Sequence, residues 1–226
     1  DPEAWAERID GDLALIAAPL VTSVTGQMLP AAQIAALPRP EHTLTLLDAA
    51  QGLGRVPMDQ AGAWDIVAAT SRKWLRAPRQ TALMRLSPRA AAALGAEAGG
   101  LTGVLPNIPL RLGLADALAA FRADPPFASI EAQDTALRTA LAPTGWVQPK
   151  GAAGTVTLAV PEDRRPGIAA ALAAAGMEAK WCTPTMDEPR APWPEGHAAL
   201  RLSPLPDTSP DTLEAVIPPL QAALAR

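Results

Sequence analysis

The sequence predicts an α/β protein: a first domain built on a mainly parallel sheet, followed by a small α+β domain. Three observations lead there. Short apolar runs bounded by turn residues alternate with helical or irregular pieces through the first half of the 226 residues. Hydrophobic residues make up 49% of the chain and charged ones 19%, a globular composition with enough length for one large or two small cores. The "DPP" at 124–126 then breaks the pattern, which sets domains of 1–123 and 124–226.

The elements follow in order. "LALIAA" (13–18) and "HTLTLLD" (42–48) read as strands, with a short helix "PAAQIAALPR" (30–39) between them. "WDIVAAT" (64–70) and "TALMRL" (81–86) are further strands, and the apolar runs imply a sheet covered on both faces. Helices are expected in "SPRAAAALGAEA" (87–98) and "IPLRLGLADALAAFRA" (108–123). Beyond the break, "FASIEAQDTALRTALAP" has helical spacing, "TVTLAVP" is strand-like, and "PGIAAALAAAGMEAKWCTP" reads as helix then strand. A proline-rich loop (183–197) precedes the strand "AALRLSP" (198–204), and Ser209, Pro210 and Asp211 open a closing helix.

Composition excludes several classes. A formal charge of −4 argues against nonspecific binding to nucleic acid or an anionic membrane. No apolar run has the length of a span, the N-terminus lacks a signal-peptide pattern, and Cys182 is the one cysteine. A cytoplasmic protein is the expectation. "GLGRVP" (52–57) carries two glycines of a dinucleotide fingerprint but ends in proline, with no helix pattern opening there. His42 and His197 are far apart, so neither a zinc cluster nor a Ser–His–Asp set is supported. The six tryptophans show no basic interleaving and read as packing residues.

Positive charge is written almost wholly as arginine, yet Lys73, one of three lysines, sits in the basic loop "SRKWLRAPR". Asp48 ends one apolar strand, Gln51 lies just beyond it, and Lys73 follows the next strand. In an open α/β sheet ligands bind past the carboxyl ends of the strands, which brings an anion and an amine to one crevice. Pyridoxal phosphate needs both: an amine to condense with its aldehyde and a carboxylate to keep its ring nitrogen protonated. Thr70, Ser71 and Arg72 supply hydroxyls and a cation for a phosphate, and Arg72 favours a neutral Lys73 amine. On spacing alone a plainer alternative is favoured, with Lys73 a solvated loop cation and Asp48 a helix cap.

Resemblance changes that balance. "LLDAAQGLGRVPMD" and "DIVAATSRKWLRAPRQT" resemble the class V aminotransferases, a branch of the fold-type I pyridoxal-phosphate enzymes. The resemblance is nearest to their C–S lyase and isopenicillin epimerase-like members. It implies the C-terminal part of the large domain plus a small C-terminal domain, with Lys73 as the Schiff-base lysine. Asp48 becomes the ring-nitrogen aspartate and Gln51 a cofactor contact. Thr70 and Arg72 fall at phosphate-binding positions, Ser23 in "PLVTSVTGQMLP" takes a place often held by asparagine, and Thr81 is a further phosphate contact. "LRLSPLPDTSPDTLEAV" resembles the segment whose arginine holds the substrate carboxylate, which suggests Arg201. Ala77, Gln80 and Ala82 stand where relatives carry glycine, and Val104 where many carry threonine, with Thr102 or Thr81 able to compensate.

The implied activity is chemistry on an amino acid, with β-elimination from a sulfur-containing one ahead of transamination and racemisation. Two alternatives remain: a cysteine or selenocysteine desulfurase using Cys182 as a persulfide carrier, and a non-catalytic subunit. Relatives carry an additional first third before the position of Asp1. The resemblance therefore implies a homodimer, or a complex with a chain supplying that part, and a piece that leaves a sheet edge uncovered when alone.

Overall fold

The computed structural model describes residues 2–95, 97, 107–148, 151, 154–178, 180–182 and 193–225. Two compact units emerge: Asp1–Val21 with Met28–Pro125, and Thr22–Gln27 with Pro126–Arg226. The readings of Thr102, Val104 and most of the proline-rich loop lie outside the described residues.

The first unit carries four strands: β1 (Leu15–Pro19), β2 (Leu44–Asp48), β3 (Ile66–Thr70) and β4 (Ala82–Leu86). They lie side by side in that order, the first three mutually parallel and β4 antiparallel to β3. Helices α1 (Pro2–Ala6), α2 (Ala31–Ala35), α3 (Pro88–Leu94) and α4 (Ile108–Ala123) complete it, with a 3₁₀ turn at Asp59–Ala63. Burial alternates along β1 and β2, so one set of side chains enters the core and the next does not. Ile16, Leu20, Ile34, Leu47 and Trp64 form that core, and the Trp64 indole donates 3.1 Å to the Ala31 carbonyl at the start of α2. The expectation of cover on both faces fails on β1, where Leu15 and Ala17 on one face are exposed while Ile16 and Ala18 on the other are buried; Met84 on β4 is exposed as well.

Helices begin where their capping residues direct. Ser87 accepts 3.1 Å from the Ala90 amide ahead of α3, and Asn107 accepts 3.2 Å from the Leu110 amide ahead of α4. Among the described residues no helix is long and apolar enough to cross a membrane.

The second unit contains α5 (Phe127–Leu141), β5 (Val156–Pro161), α6 (Arg165–Ala174), β6 (Lys180–Cys182), β7 (His197–Leu202) and α7 (Pro210–Leu224). Its antiparallel sheet has the order β5-β7-β6, so β7 is central. Leu137, Leu141, Val156, Leu158, Ile168, Leu200 and Leu224 pack one continuous core. Arg138 staples it: its Nε donates 2.9 Å to buried Asp134, and Nη1 and Nη2 donate to the carbonyls of Gln148 and Thr155 at 2.8 and 2.9 Å. The segment Thr22–Gln27 is held to this sheet, with the Thr157 hydroxyl donating 2.6 Å to the Val24 carbonyl.

Candidate active site

The candidate residues fall into two groups, one in each unit. Asp48, Gln51, Thr70, Arg72, Lys73 and Thr81 belong to the first unit, Ser23 and Arg201 to the second.

The first group assembles at the carboxyl ends of β2 and β3. Asp48 closes β2, paired with Pro19 on one side and Ala68 on the other. It is exposed, and its Oδ1 accepts 2.8 Å from the Ala50 amide, which turns the chain sharply out of the strand. Its Oδ2 has no protein partner among the described residues. The turn that follows lies directly against the lysine loop. Trp74, next to Lys73, donates its indole N–H 3.1 Å to Gln51 Oε1. Gly54 has φ +84°, and a β-carbon there would sit 2.6 Å from the Leu75 nitrogen and 2.7 Å from the Trp74 carbonyl carbon. The "GLGRVP" glycine thus serves backbone approach to the Lys73 loop.

The loop itself is knitted from within. Ser71 is fully buried, donates 2.7 Å to the Thr81 carbonyl and meets the Thr81 hydroxyl. Thr81 in turn donates 2.6 Å to the Pro78 carbonyl, so its hydroxyl is engaged inside the loop. Thr70, the last residue of β3, and exposed Arg72 have side chains with no protein partner among the described residues. Lys73 is half-buried between them and Trp74.

Two residues of this loop carry left-handed backbone: Arg76 at φ +57° and Gln80 at φ +67°. Gln80 is one of the positions where the family resemblance leads to the expectation of glycine, and its backbone is left-handed with a side chain in place. A β-carbon is disfavoured there. Gln80→Gly is expected to raise stability by about 0.5–1 kcal/mol, the relief of that strain less the added chain entropy of glycine. Chemical denaturation of the two proteins measures it.

In the second unit Arg201 sits on β7 opposite Thr157 and Lys180. Its Nη1 donates 2.6 Å to the Ser23 carbonyl, while its Nε is buried without a hydrogen-bond partner among the described residues. With Nη1 committed, the edge formed by Nε and Nη2 is left, the one that grips a carboxylate through two parallel bonds. Cys182 is buried, packed with Val24, Ala199 and Trp193. A persulfide carrier needs an accessible thiol, so this packing speaks against the sulfur-transfer alternative.

Sequence reading missed the arginine–tryptophan pairs. Arg55 lies 4.5 Å from the Trp74 ring centroid, Arg164 5.6 Å from Trp146 and Arg165 5.2 Å from Trp181. The basic partners are distant in sequence from the rings they cover, so no local pattern shows them.

Comparison with known proteins decides the family. The aminotransferase class V model matches residues 1–142, more than half the chain. The chain belongs to the aminotransferase class V family. Membership implies pyridoxal 5′-phosphate as the cofactor. No curated protein matches it by sequence. Among solved structures, the serine palmitoyltransferase of Sphingomonas wittichii is 18% identical with a TM-score of 0.77, over 99% of this chain and 58% of that one. An SPT solved with PLP gives 19% and 0.76 over 99% and 58%. A NifS-like protein gives 15% and 0.79 over 100% and 65%. The chain therefore spans less than two thirds of these structures' length, and at these identities the likeness shows the fold.

The donor set fits the cofactor of the family. A carboxylate, an amide, a hydroxyl, a guanidinium and an amine stand at the ends of two adjacent parallel strands. The carboxylate would suit a cationic ring nitrogen, the amide a ring oxygen, the hydroxyl and guanidinium together a phosphate, and the amine an aldehyde.

Proposed function

We propose that the chain is the pyridoxal-phosphate-binding portion of an enzyme acting on amino acids, with β-elimination from a sulfur-containing amino acid as the reaction. One observation carries the reading. The Asp48–Gln51 turn is locked to the Lys73 loop by the Trp74–Gln51 hydrogen bond and the Gly54 backbone approach. That lock keeps the acid and the amine together past the carboxyl ends of the two central strands.

When bound, the cofactor supplies an aldehyde that condenses with amines and a protonated ring that withdraws electrons from the substrate α-carbon. The chain's residues do the rest. Asp48 holds a proton on the ring nitrogen through charge pairing. Thr70 and Arg72 bind phosphate oxygens by a hydroxyl bond and by charge. Gln51 donates from its amide nitrogen. Lys73 would hold the cofactor's aldehyde end and, as a free amine, would take the substrate α-proton as a general base. Arg201 receives the substrate carboxylate on its Nε–Nη2 edge.

The complete enzyme is proposed to be a homodimer, or a complex with the polypeptide that supplies the remaining length of the fold. A non-catalytic subunit is the second reading, favoured by the strained backbone of Arg76 and Gln80 in the lysine loop. Borohydride reduction of the chain, alone and together with any companion polypeptide, after mixing with pyridoxal phosphate separates the two. With only Lys73, Lys150 and Lys180 present, peptide mapping places the adduct unambiguously. A cofactor mass on Lys73 is the expected result; labelling spread over the other two, or none, overturns the enzyme reading.

Arg201→Lys is expected to raise KM for an amino-acid substrate about 100-fold with a smaller change in kcat. A lysine cannot reproduce the two parallel bonds, and hydrogen bonds to a charged group are the strong ones. Steady-state kinetics against substrate concentration checks it.

A further inference from the structure

Arg55 is an unusual residue to find in a turn: it is 2% exposed, and its guanidinium covers the Trp74 ring at 4.5 Å. Burying an arginine is costly unless its surroundings compensate, and a desolvated cation over an indole is among the stronger such contacts. The same indole donates to Gln51 Oε1 at 3.1 Å. An indole nitrogen can only donate, so the Gln51 oxygen is identified by its partner and the amide has one orientation. The Gln51 nitrogen, with no protein partner among the described residues, then faces away from Trp74 as a pure donor.

We infer that Arg55 and Trp74 are positioning residues that fix the protonic character of Gln51. Arg55 pins the indole, the indole fixes the amide, and the amide presents N–H to the ring oxygen of the cofactor. This rests on the cofactor reading proposed above. Packing alone would be served by any apolar pair at these positions, whereas orienting an amide requires the indole N–H. A donor on the ring oxygen weakens that oxygen's hold on a nearby proton. Losing the donor raises the pH at which the visible chromophore deprotonates.

The test compares wild type, Trp74→Phe and Arg55→Met, each loaded with pyridoxal phosphate and titrated by visible absorbance. Both variants are expected to take up cofactor and to shift the midpoint upward by about one pH unit, the scale of one lost hydrogen bond to an anionic oxygen. In the cofactor-free protein, the indole N–H line missing from Trp74→Phe is expected to exchange with solvent about tenfold faster in Arg55→Met than in wild type. If wild type loads and both variants keep its midpoint, the positioning role is overturned while the cofactor reading stands. If wild type takes up no cofactor, the cofactor reading fails and this inference with it. Should Trp74→Phe not fold, the Arg55→Met titration and exchange rate decide.

Discussion

Lys73→Arg is expected to lower turnover of an amino-acid substrate by at least about 10³-fold, although it preserves charge and nearly preserves volume. The chain contains sixteen arginines (19 basic residues less the three lysines). Arginine is thus its ordinary cation, and one more on this loop would be unexceptional. The difference lies in the nitrogen. An ammonium gives up a proton to become a nucleophile with a lone pair, while a guanidinium stays protonated and delocalised. A loop cation that merely attracts phosphate would tolerate the exchange, so a mild effect would return Lys73 to the role of a solvated charge. Lys73 is half-buried on a loop whose internal bonds run through Ser71, Thr81 and Pro78, so the variant is expected to fold normally. Comparing unfolding midpoints alongside turnover separates lost chemistry from lost structure.

What the sequence revealed and what it withheld divide along the range of the interactions. β1, β2 and β3 were legible because their apolar runs stop at Pro19, Asp48 and Thr70, where polar groups meet the end of the sheet. The reactive lysine was legible because an amine among arginines is chemically distinct. Gln80 was marked by its departure from glycine, and its positive φ explains why glycine is suited there. Arg76 was not, since nothing local separates a strained arginine from a solvated one. Gly54 looked like a failed dinucleotide motif because the backbone it accommodates belongs to Trp74 and Leu75 on another loop. Arg55 carried no signal for the same reason: the ring it covers, Trp74, lies on that other loop. The edge position of β4 was also hidden: "TALMRL" is as apolar as a central strand, and its antiparallel pairing with β3 is set by the loop that returns it.

Asp65 was invisible for that reason too, and it supports the second large effect. It precedes β3 at the end opposite the lysine loop, is 7% exposed, and joins three elements. Its Oδ2 accepts from the Thr45 amide and hydroxyl at 3.0 Å each and from Arg89 Nη1 at 2.6 Å, while Oδ1 accepts 3.1 Å from the Ser87 hydroxyl. Arg89 also reaches the carbonyls of Glu41 and Thr43. Burial by itself pushes the Asp65 carboxyl upward, but the bonds from Thr45, Arg89 and Ser87 outweigh it and hold the group below its ordinary 3.8. Asp65→Ala is expected to cost about 3 kcal/mol, because it strands a buried amide and hydroxyl; the partly exposed Arg89 keeps water as a substitute partner and limits the loss. Asp65→Asn isolates the charge. A depressed carboxyl stabilises the fold fully above its unfolded value and loses that contribution as pH falls through the lower folded value. The stability gap between wild type and Asp65→Asn should therefore be flat above about pH 5 and close progressively below about pH 4. Denaturant unfolding at a series of pH values measures the gap, and one that persists unchanged into strong acid would assign the stabilisation to shape instead of charge.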